Sequence, residues 1–393
     1  MNVPEFKYLL VDFDKSIEMD GFTDHFQPVS DRIQIDRICS LEELSESKTS
    51  SVVVGMAVVM RQFSSEISEV LSWFQRNVGC FPDYQIMICD DPDPSAMMNS
   101  FEFGVEQFTG TEEWMEAVVQ MAEKILKDLS DKNSTAYKCI MLNQAVQSAN
   151  RNAITEREKG LSEDAGYDPI AAFSRGKALE SIGNFEEALK SYEGAEAMNS
   201  FFRPAQNSIG ESLLLSGQPD KAIEVLSRME GANSSHADRK LLLANAFMEK
   251  GDLPKAREYL EEAKSLNADG SRALESRILL LLAEKKIPDA VRMIDSLKEA
   301  GPHLASKLNA LGVRFSQAGK FKNALTIYNK AHKIVRKELR YKVSLNAALA
   351  CHRARNFTVA MKFLSRCEQE YGSSFPKLDK IKRAIIAEKN KEA

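Results

Sequence analysis

The apolar positions keep one period up to about residue 130 and another after it. Phe6 to Asp12 is a β-like run, Arg32 to Ile38 (RIQIDRI) alternates apolar with polar, and Ser51 to Met60 is nearly continuous and β-branched. The last pattern is that of a strand buried on both faces. Tyr84 to Cys89 and Val105 to Phe108 are two further runs. Helical patterns lie near 40–47, 64–76, 94–103 and 112–128, the last opened by Gly110-Thr111-Glu112-Glu113. Strands alternating with helices predict a parallel sheet covered by helices. From residue 169 the period is helical, and the chain repeats itself.

The repeat is 34 residues long. Gly183, Gly217, Gly251, Lys285 and Gly319 share one phase. Five residues after each stands Ala188, Ala222, Ala256, Ala290 or Ala324, and nine after each stands Tyr192, Leu226, Leu260, Ile294 or Tyr328. Seven before each stands Gly176, Gly210, Ala244, Ile278 or Gly312. A sixth copy, shifted by two, has Ala348, Arg355, Ala360 and Leu364 in these places. Two helices of about 14 residues and a tight turn make such a unit. Glycine suits the turn backbone. The small residues let the helices approach, and the large residue is expected to fill the joint with the next hairpin. The fold class is thus α/β plus all-α: a flavodoxin-like doubly wound parallel sheet joined to a helical solenoid of about six hairpins. Residues 1–130 form the first domain, 131–168 a helical linker that caps the solenoid (Tyr137 to Gly160 reading as helix), 169–370 the repeats and 371–393 a closing helix.

The chain has 393 residues, 44% of them hydrophobic and 28% charged, which is ordinary for a globular protein. The longest apolar run, Val52 to Met60, contains Gly55 and falls well short of the ~20 residues of a membrane span. No secretory leader pattern opens the sequence, so a cytoplasmic protein without a membrane partner is expected. Six cysteines lack metal or disulfide spacing and read as reduced thiols, several of them buried. Charge is unevenly spread. Residues 1–130 carry 24 acidic and 9 basic side chains, and residues 301–393 carry 20 basic and 6 acidic. The halves are expected to meet different partners or to attract each other. The basic side chains, Lys333, Arg336, Lys337, Arg340, Lys377, Lys380, Lys382 and Arg383 among them, read as a solvated helix face, so no nucleic acid is expected.

The repeats, as in GKALESIGNFEEALKSYEGA (176–195) and GVRFSQAGKFKNALTIYNKA (312–331), resemble the tetratricopeptide repeat. The resemblance covers 169 to about 370 and implies a right-handed superhelix. Its groove, lined by the first helix of each hairpin, holds a peptide or a partner's helix. Carried onto this sequence, the groove positions include Phe173, Lys177, Asn207, Glu211, Leu241, Asn245 and Glu275 in the earlier repeats. Asn309, Val313, Lys342, Leu345, His352 and Arg353 fall there in the later ones. Asn207 and Asn309 are equivalent positions, and an amide offers both donor and acceptor to an extended backbone. The lysine–asparagine–arginine clamp with which chaperone-binding members hold a terminal carboxylate is not reproduced.

The first domain resembles the receiver of two-component response regulators. The resemblance is carried by KYLLVDFDKSI at the first strand and by QIMICDDPDPSAMMNSFEFGVEQFTGTEEWMEAVVQMAEKI over the last two strand–helix units. The phosphorylation residues do not carry over. Val59 stands near the end of the third strand where the acceptor aspartate belongs, Cys89 replaces the hydroxyl residue, and Thr111 replaces the lysine. Phe108 matches the switch aromatic. Asp12 matches one magnesium ligand, Phe13 replaces the other, and Asp14 follows, leaving Asp12 and Asp14 as weak metal candidates. Asp90, Asp91 and Asp93 read as a solvated acidic loop. No nucleophile–base pair, phosphate loop or cofactor fingerprint is present, so no catalysis and no cofactor are expected.

These readings converge on a non-enzymatic, phosphorylation-independent bacterial signalling adaptor. Its pseudo-receiver would dock one protein through an acidic face and its repeats another. The alternative is a chaperone or targeting receptor for extended peptides, with the first domain as regulator or dimer contact; a homodimer fits either. A cover of the basic repeats by the acidic domain is a further alternative.

Overall fold

The computed structural model describes residues 6–13, 33–46, 52–60, 84–200, 202–231, 236–266, 270–371 and 376–392, together with 15, 17, 66, 67, 70, 71, 73 and 74. The expected helix over 64–76 and the residues Asp14 and Cys80 lie wholly or partly outside them. Five strands, β1 (Phe6–Val11), β2 (Ile33–Ile38), β3 (Val52–Val59), β4 (Gln85–Ile88) and β5 (Gln107–Thr109), form one sheet of order β2-β1-β3-β4-β5. Every pairing is parallel. The chain therefore steps outward from β1 to β2, crosses back, and continues to β5. Val53, Val54, Met56, Ala57 and Val58 of β3 are buried, as a central strand covered on both faces requires. Gly55 is needed there, because a Cβ at this position would lie 2.5 Å from the Tyr8 ring and 2.7 Å from the Tyr84 carbonyl. The strand expected at Val105 to Phe108 begins two residues late. The Val105 N–H instead bonds the Ser100 carbonyl at 3.1 Å, in the turn that follows the preceding helix.

Among the described residues, the helices of this part whose bounds are given are α1 (Leu41–Glu46), α2 (Pro94–Glu102) and α3 (Trp114–Ser130). Helix α3 turns Trp114, Val118, Met121, Ala122, Ile125 and Leu129 inward, the 3–4 spacing of a half-buried helix. Two helices then follow where one is expected: α4 (Thr135–Gln147) and α5 (Arg151–Gly160). The break is a turn at Ala149, whose φ is 54°. Ala149 lies 34 residues before Gly183, so this segment is a further hairpin in the phase of the repeats rather than a continuous linker helix.

Six more hairpins follow: α6 (Pro169–Ser181) with α7 (Phe185–Met198), α8 (Arg203–Leu215) with α9 (Pro219–Glu230), α10 (Ala237–Lys250) with α11 (Leu253–Ser265), α12 (Ser271–Ala283) with α13 (Ile287–Met293), α14 (Pro302–Gln317) with α15 (Phe321–Ile334), and α16 (Arg340–Arg353) with α17 (Phe357–Tyr371). Helix α18 (Pro376–Glu392) closes the chain and buries Leu378 and Ile385. One turn geometry joins every pair. The turn residue has φ between 54° and 86°, and the next N–H reaches back five residues, as from Asn184 to the Leu179 carbonyl at 2.9 Å and from Lys286 to Leu281 at 2.8 Å. This is the Schellman closure, which satisfies a helix-end carbonyl through a left-handed residue. Lys285 and Arg355 adopt it at φ 61° and 57°. The fourth copy thus keeps its turn, and it differs in a short second helix, α13, which is followed by a 3₁₀ turn over Ile294–Ser296. A left-handed side-chain-bearing residue costs about 1–2 kcal/mol, part of which glycine returns as unfolded-chain entropy. Lys285→Gly is therefore expected to raise the unfolding free energy by about 0.5–1 kcal/mol, read as a higher urea midpoint at unchanged slope.

The alanines five residues past the turns, Ala188, Ala222, Ala256, Ala290, Ala324 and Ala360, are all fully buried. The large residues pack differently from the expectation. A Cβ on Gly176 would meet the Tyr192 ring at 2.5 Å, on Gly210 the Leu226 side chain at 2.6 Å, and on Gly312 the Tyr328 ring at 2.5 Å. Each large side chain therefore lies across the glycine of its own hairpin. Antiparallel helices joined at the turn bring the position seven before it opposite the position nine after it.

By its contacts the chain divides into two compact units. One comprises residues 1–180, 184–212 and 224–239, and the other 181–183, 213–223 and 240–393. The division falls inside the repeats, so the sheet and the first hairpins belong to one unit. Cys139, Cys351 and Cys367 are buried and unbridged, and burial pushes the Cys139 thiol up to about 12 and the Cys367 thiol to about 11. Such thiols stay protonated and unreactive. Among the described residues no helix is long and apolar enough to cross a membrane.

Candidate protein-interaction surfaces

The carboxyl ends of the parallel strands form the first candidate site. Asp12, just beyond β1, is 1% exposed. Its carboxylate accepts the Ile17 N–H at 3.2 Å and is ion-paired with Arg37 of β2, which also donates to the Ile17 carbonyl at 3.0 Å. A guanidinium thus holds the carboxylate that the sequence offered as a metal ligand. Val59 is half-buried at the end of β3 and carries no group that could take up phosphate. Cys89 is 8% exposed, and its N–H bonds the Thr109 carbonyl at 2.8 Å. Thr111 turns its N–H and hydroxyl onto Asp90, at 2.6 and 2.7 Å. These two bonds, the backbone one first, hold the Asp90 carboxyl below its ordinary range. This edge therefore carries two closed polar contacts, and among the described residues no cluster of metal-ligating side chains.

A second site lies wholly within the first unit. Glu102 ends α2 and Phe103 follows it. Arg239, in the first turn of α10, is completely buried, and Glu102 is 2% exposed. Arg239 Nη1 donates to Glu102 Oε2 at 3.2 Å and Nη2 donates to Oε1 at 3.5 Å. Its Nε donates to Glu230 Oε2 at 3.2 Å, and its backbone N–H to His236 Nδ1 at 3.1 Å. Asn207 of α8 adds its Nδ2 to Glu102 Oε2 at 3.4 Å. The Phe103 ring lies 5.0 Å from the His236 ring, tilted by 30°. Burying an ion pair costs several kcal/mol of hydration per ion unless hydrogen bonds and geometry offset it. Here the guanidinium makes the fork-on-carboxylate contact that best does so.

The remaining groove positions fall into three groups. Phe173 is fully buried between Tyr192 and Phe202, at ring distances of 5.4 and 5.5 Å, and Leu241 is 3% exposed. Both serve packing, a correction to the groove assignment: inner-helix positions at this depth face the partner helix. The second group is engaged by neighbours. Lys177 pairs with Glu180 at 3.7 Å, Glu275 accepts the Gly301 N–H at 2.9 Å, and Asn309 accepts from Asn346 at 2.9 Å. His352 contacts Glu388 at 2.8 Å and Arg353 donates to Ser316 at 3.2 Å. Each of the two equivalent asparagines thus has a side-chain partner within the chain. Third, Glu211, Val313, Lys342 and Leu345 are half-buried, while Asn245 is 9% exposed with no hydrogen bond to its Oδ1 among the described residues.

A charged cluster in the second unit was not foreseen. Glu249 contacts His303 at 3.0 Å and also pairs with Lys307. Burial would raise the Glu249 carboxyl, but the two bonds and charges outweigh it and hold the group at about 2. Neither this cluster nor Arg239 leaves a trace in the repeat pattern. HADRKLLL, where Arg239 stands, reads like any helix start with charges.

Residues 173–237 and residues 213–277 each match a family described as Tetratricopeptide repeat. No curated protein matches the sequence. Among solved structures, the chain is similar to the APC/C hetero-tetramer Cut9–Hcn1 at 12% identity and a TM-score of 0.39, over 82% of this chain and 70% of that one. It is similar to a tetratricopeptide repeat protein from Parabacteroides merdae at 12% identity and 0.38, over 65% and 100%. It is also similar to NprR in complex with its cognate peptide NprX at 15% identity and 0.36, over 71% and 82%.

Proposed function

From tetratricopeptide repeats over at least residues 173–277, we propose that this chain is a non-enzymatic protein-interaction scaffold of bacterial signalling. The observation that carries the reading is the repeat array itself, seven hairpins closed by one turn geometry. Stacked hairpins of this kind present an extended surface whose use is to hold a polypeptide. The α/β domain reads as a flavodoxin-like pseudo-receiver. The strand order β2-β1-β3-β4-β5 supports that reading. Signalling through it does not use phosphate: Val59 cannot form an acyl phosphate, and Asp12 is engaged by Arg37. Partners instead meet the exposed acidic side of α3, with Glu112 and Glu113 just before it and Glu116 and Glu123 on it, and the basic repeats near Lys342 and Arg353. The protein acts in the cytoplasm, with a homodimer through the α/β domain as one arrangement.

The test compares three full-length baits in affinity capture: the native chain, Glu116→Lys/Glu123→Lys, and Lys342→Glu/Arg353→Glu. Each variant is expected to lose a different partner while keeping the other. Acetyl phosphate is expected to leave the native chain's partners and its hydrogen-exchange pattern unchanged. A change on adding acetyl phosphate, or partners indifferent to both variants, would overturn the reading. The peptide-receptor alternative would be favoured if only the repeat variant mattered.

A further inference from the structure

The buried ion site at Arg239 has the make-up of a recognition site. It rests on the same reading of the repeats as a protein-binding surface and specifies the chemistry of what they bind. A joint that only fixed one layer on another could be served by apolar contact, since well-packed hydrophobic side chains often replace a buried ion pair without loss. Here Arg239, the bulkiest fully buried side chain among the described residues, faces Glu102 with two nitrogens while Asn207 donates to the same carboxylate. The neighbouring His236 ring lies 5.0 Å from that of Phe103, which is also packed into the core of the α/β domain with Ala96 and Val105. The three groups come from α8, from α10 and from the residue just before α10. They converge on one carboxylate and the aromatic ring that follows it in sequence. The occupant stands at a corner: Gly104, with φ 80°, turns the chain away immediately afterwards.

We infer that this surface is a binding site for an acidic–aromatic segment, a carboxylate followed directly by an aromatic ring, and that the chain's own Glu102–Phe103 corner fills it as an internal ligand. A partner carrying the same pair then binds by displacing the corner, so occupation of the repeats by the α/β domain and by that partner exclude each other. Charge does not oppose the exchange: one carboxylate replaces another on Arg239, which stays paired with Glu230 throughout.

The probe is a fluorescein-labelled peptide of residues 94–108 (PSAMMNSFEFGVEQF), read by anisotropy against the full chain. Glu102→Lys sets a cation against Arg239 and empties the site. Lysine suits the C-terminal end of α2, so the helix itself is not disfavoured. Glu102→Ala serves the same end if the lysine variant fails to fold by circular dichroism. The emptied variant is expected to bind the peptide at least about tenfold more tightly than the native chain. Adding Arg239→Met to the variant, or changing the peptide's glutamate at the Glu102 position to glutamine, is expected to remove that gain. Equal binding by native and emptied chains, no binding up to roughly 1 mM, or a gain that survives both changes would overturn the proposal. If the native chain still captures a protein through its basic repeats while the peptide fails, the scaffold reading stands and this inference falls.

Discussion

Arg239→Met is expected to lower the unfolding free energy by about 3–5 kcal/mol, the usual cost of removing one partner from a buried ion pair. The cost lies less in the lost bonds than in what remains. Glu102, 2% exposed, and Glu230, 14% exposed, would keep their charges with no cation between them. Methionine fills much of the arginine's volume, so the effect reports charge rather than a cavity. Urea unfolding should show a lower midpoint with little change in slope. The paired replacement Arg239→Met/Glu102→Met should recover most of the loss, because two apolar groups leave less charge to desolvate. A loss within about 0.5 kcal/mol, as for an ordinary surface residue, would show that the site is open to water.

The second large effect is expected at Leu226→Ala, about 2–5 kcal/mol and toward the upper end. Leu226 is fully buried and lies across Gly210, which has no side chain to move into the vacated space. Gly210→Ala alone is also expected to destabilise, by about 1–3 kcal/mol, because its Cβ would come within 2.6 Å of Leu226. In the Leu226→Ala background the same change should be close to neutral. The double-mutant cycle should therefore give a coupling well above 0.5 kcal/mol, whereas additive effects would show that the two positions do not touch.

Two kinds of information about this fold differ in how far the sequence carries them. Periodic features were legible. The strands β1 to β4 fall within one or two residues of their apolar runs, and the 34-residue phase marks five turns with a sixth shifted by two, because periodicity is how a chain encodes which face is buried. The hairpin of α4 and α5 escaped since its turn residue is Ala149, its small position is Leu142, and its large position is Glu158. Backbone hydrogen bonding imposed the left-handed turn there without the glycine that advertises it elsewhere. Contacts that join distant segments were not legible at all. Glu102 ends a short helix and Arg239 begins another, both places where charge is ordinary. Only the fold reveals that one neutralises the other. The assignment of Phe173 and Leu241 to an open groove failed for a related reason. Helix phase fixes the side of a helix, while depth depends on what packs over it.

That ion pair also sets a schedule for synthesis. Glu102 leaves the ribosome 137 residues ahead of Arg239. At about 5–20 residues per second the interval is roughly 7–27 s. Throughout it the α/β layer has its acidic corner and no arginine to receive it, whereas each helical hairpin closes on itself within about 30 residues and can form as it emerges. The nascent chain thus passes through a stage in which the Glu102 carboxylate lacks the arginine that later neutralises it.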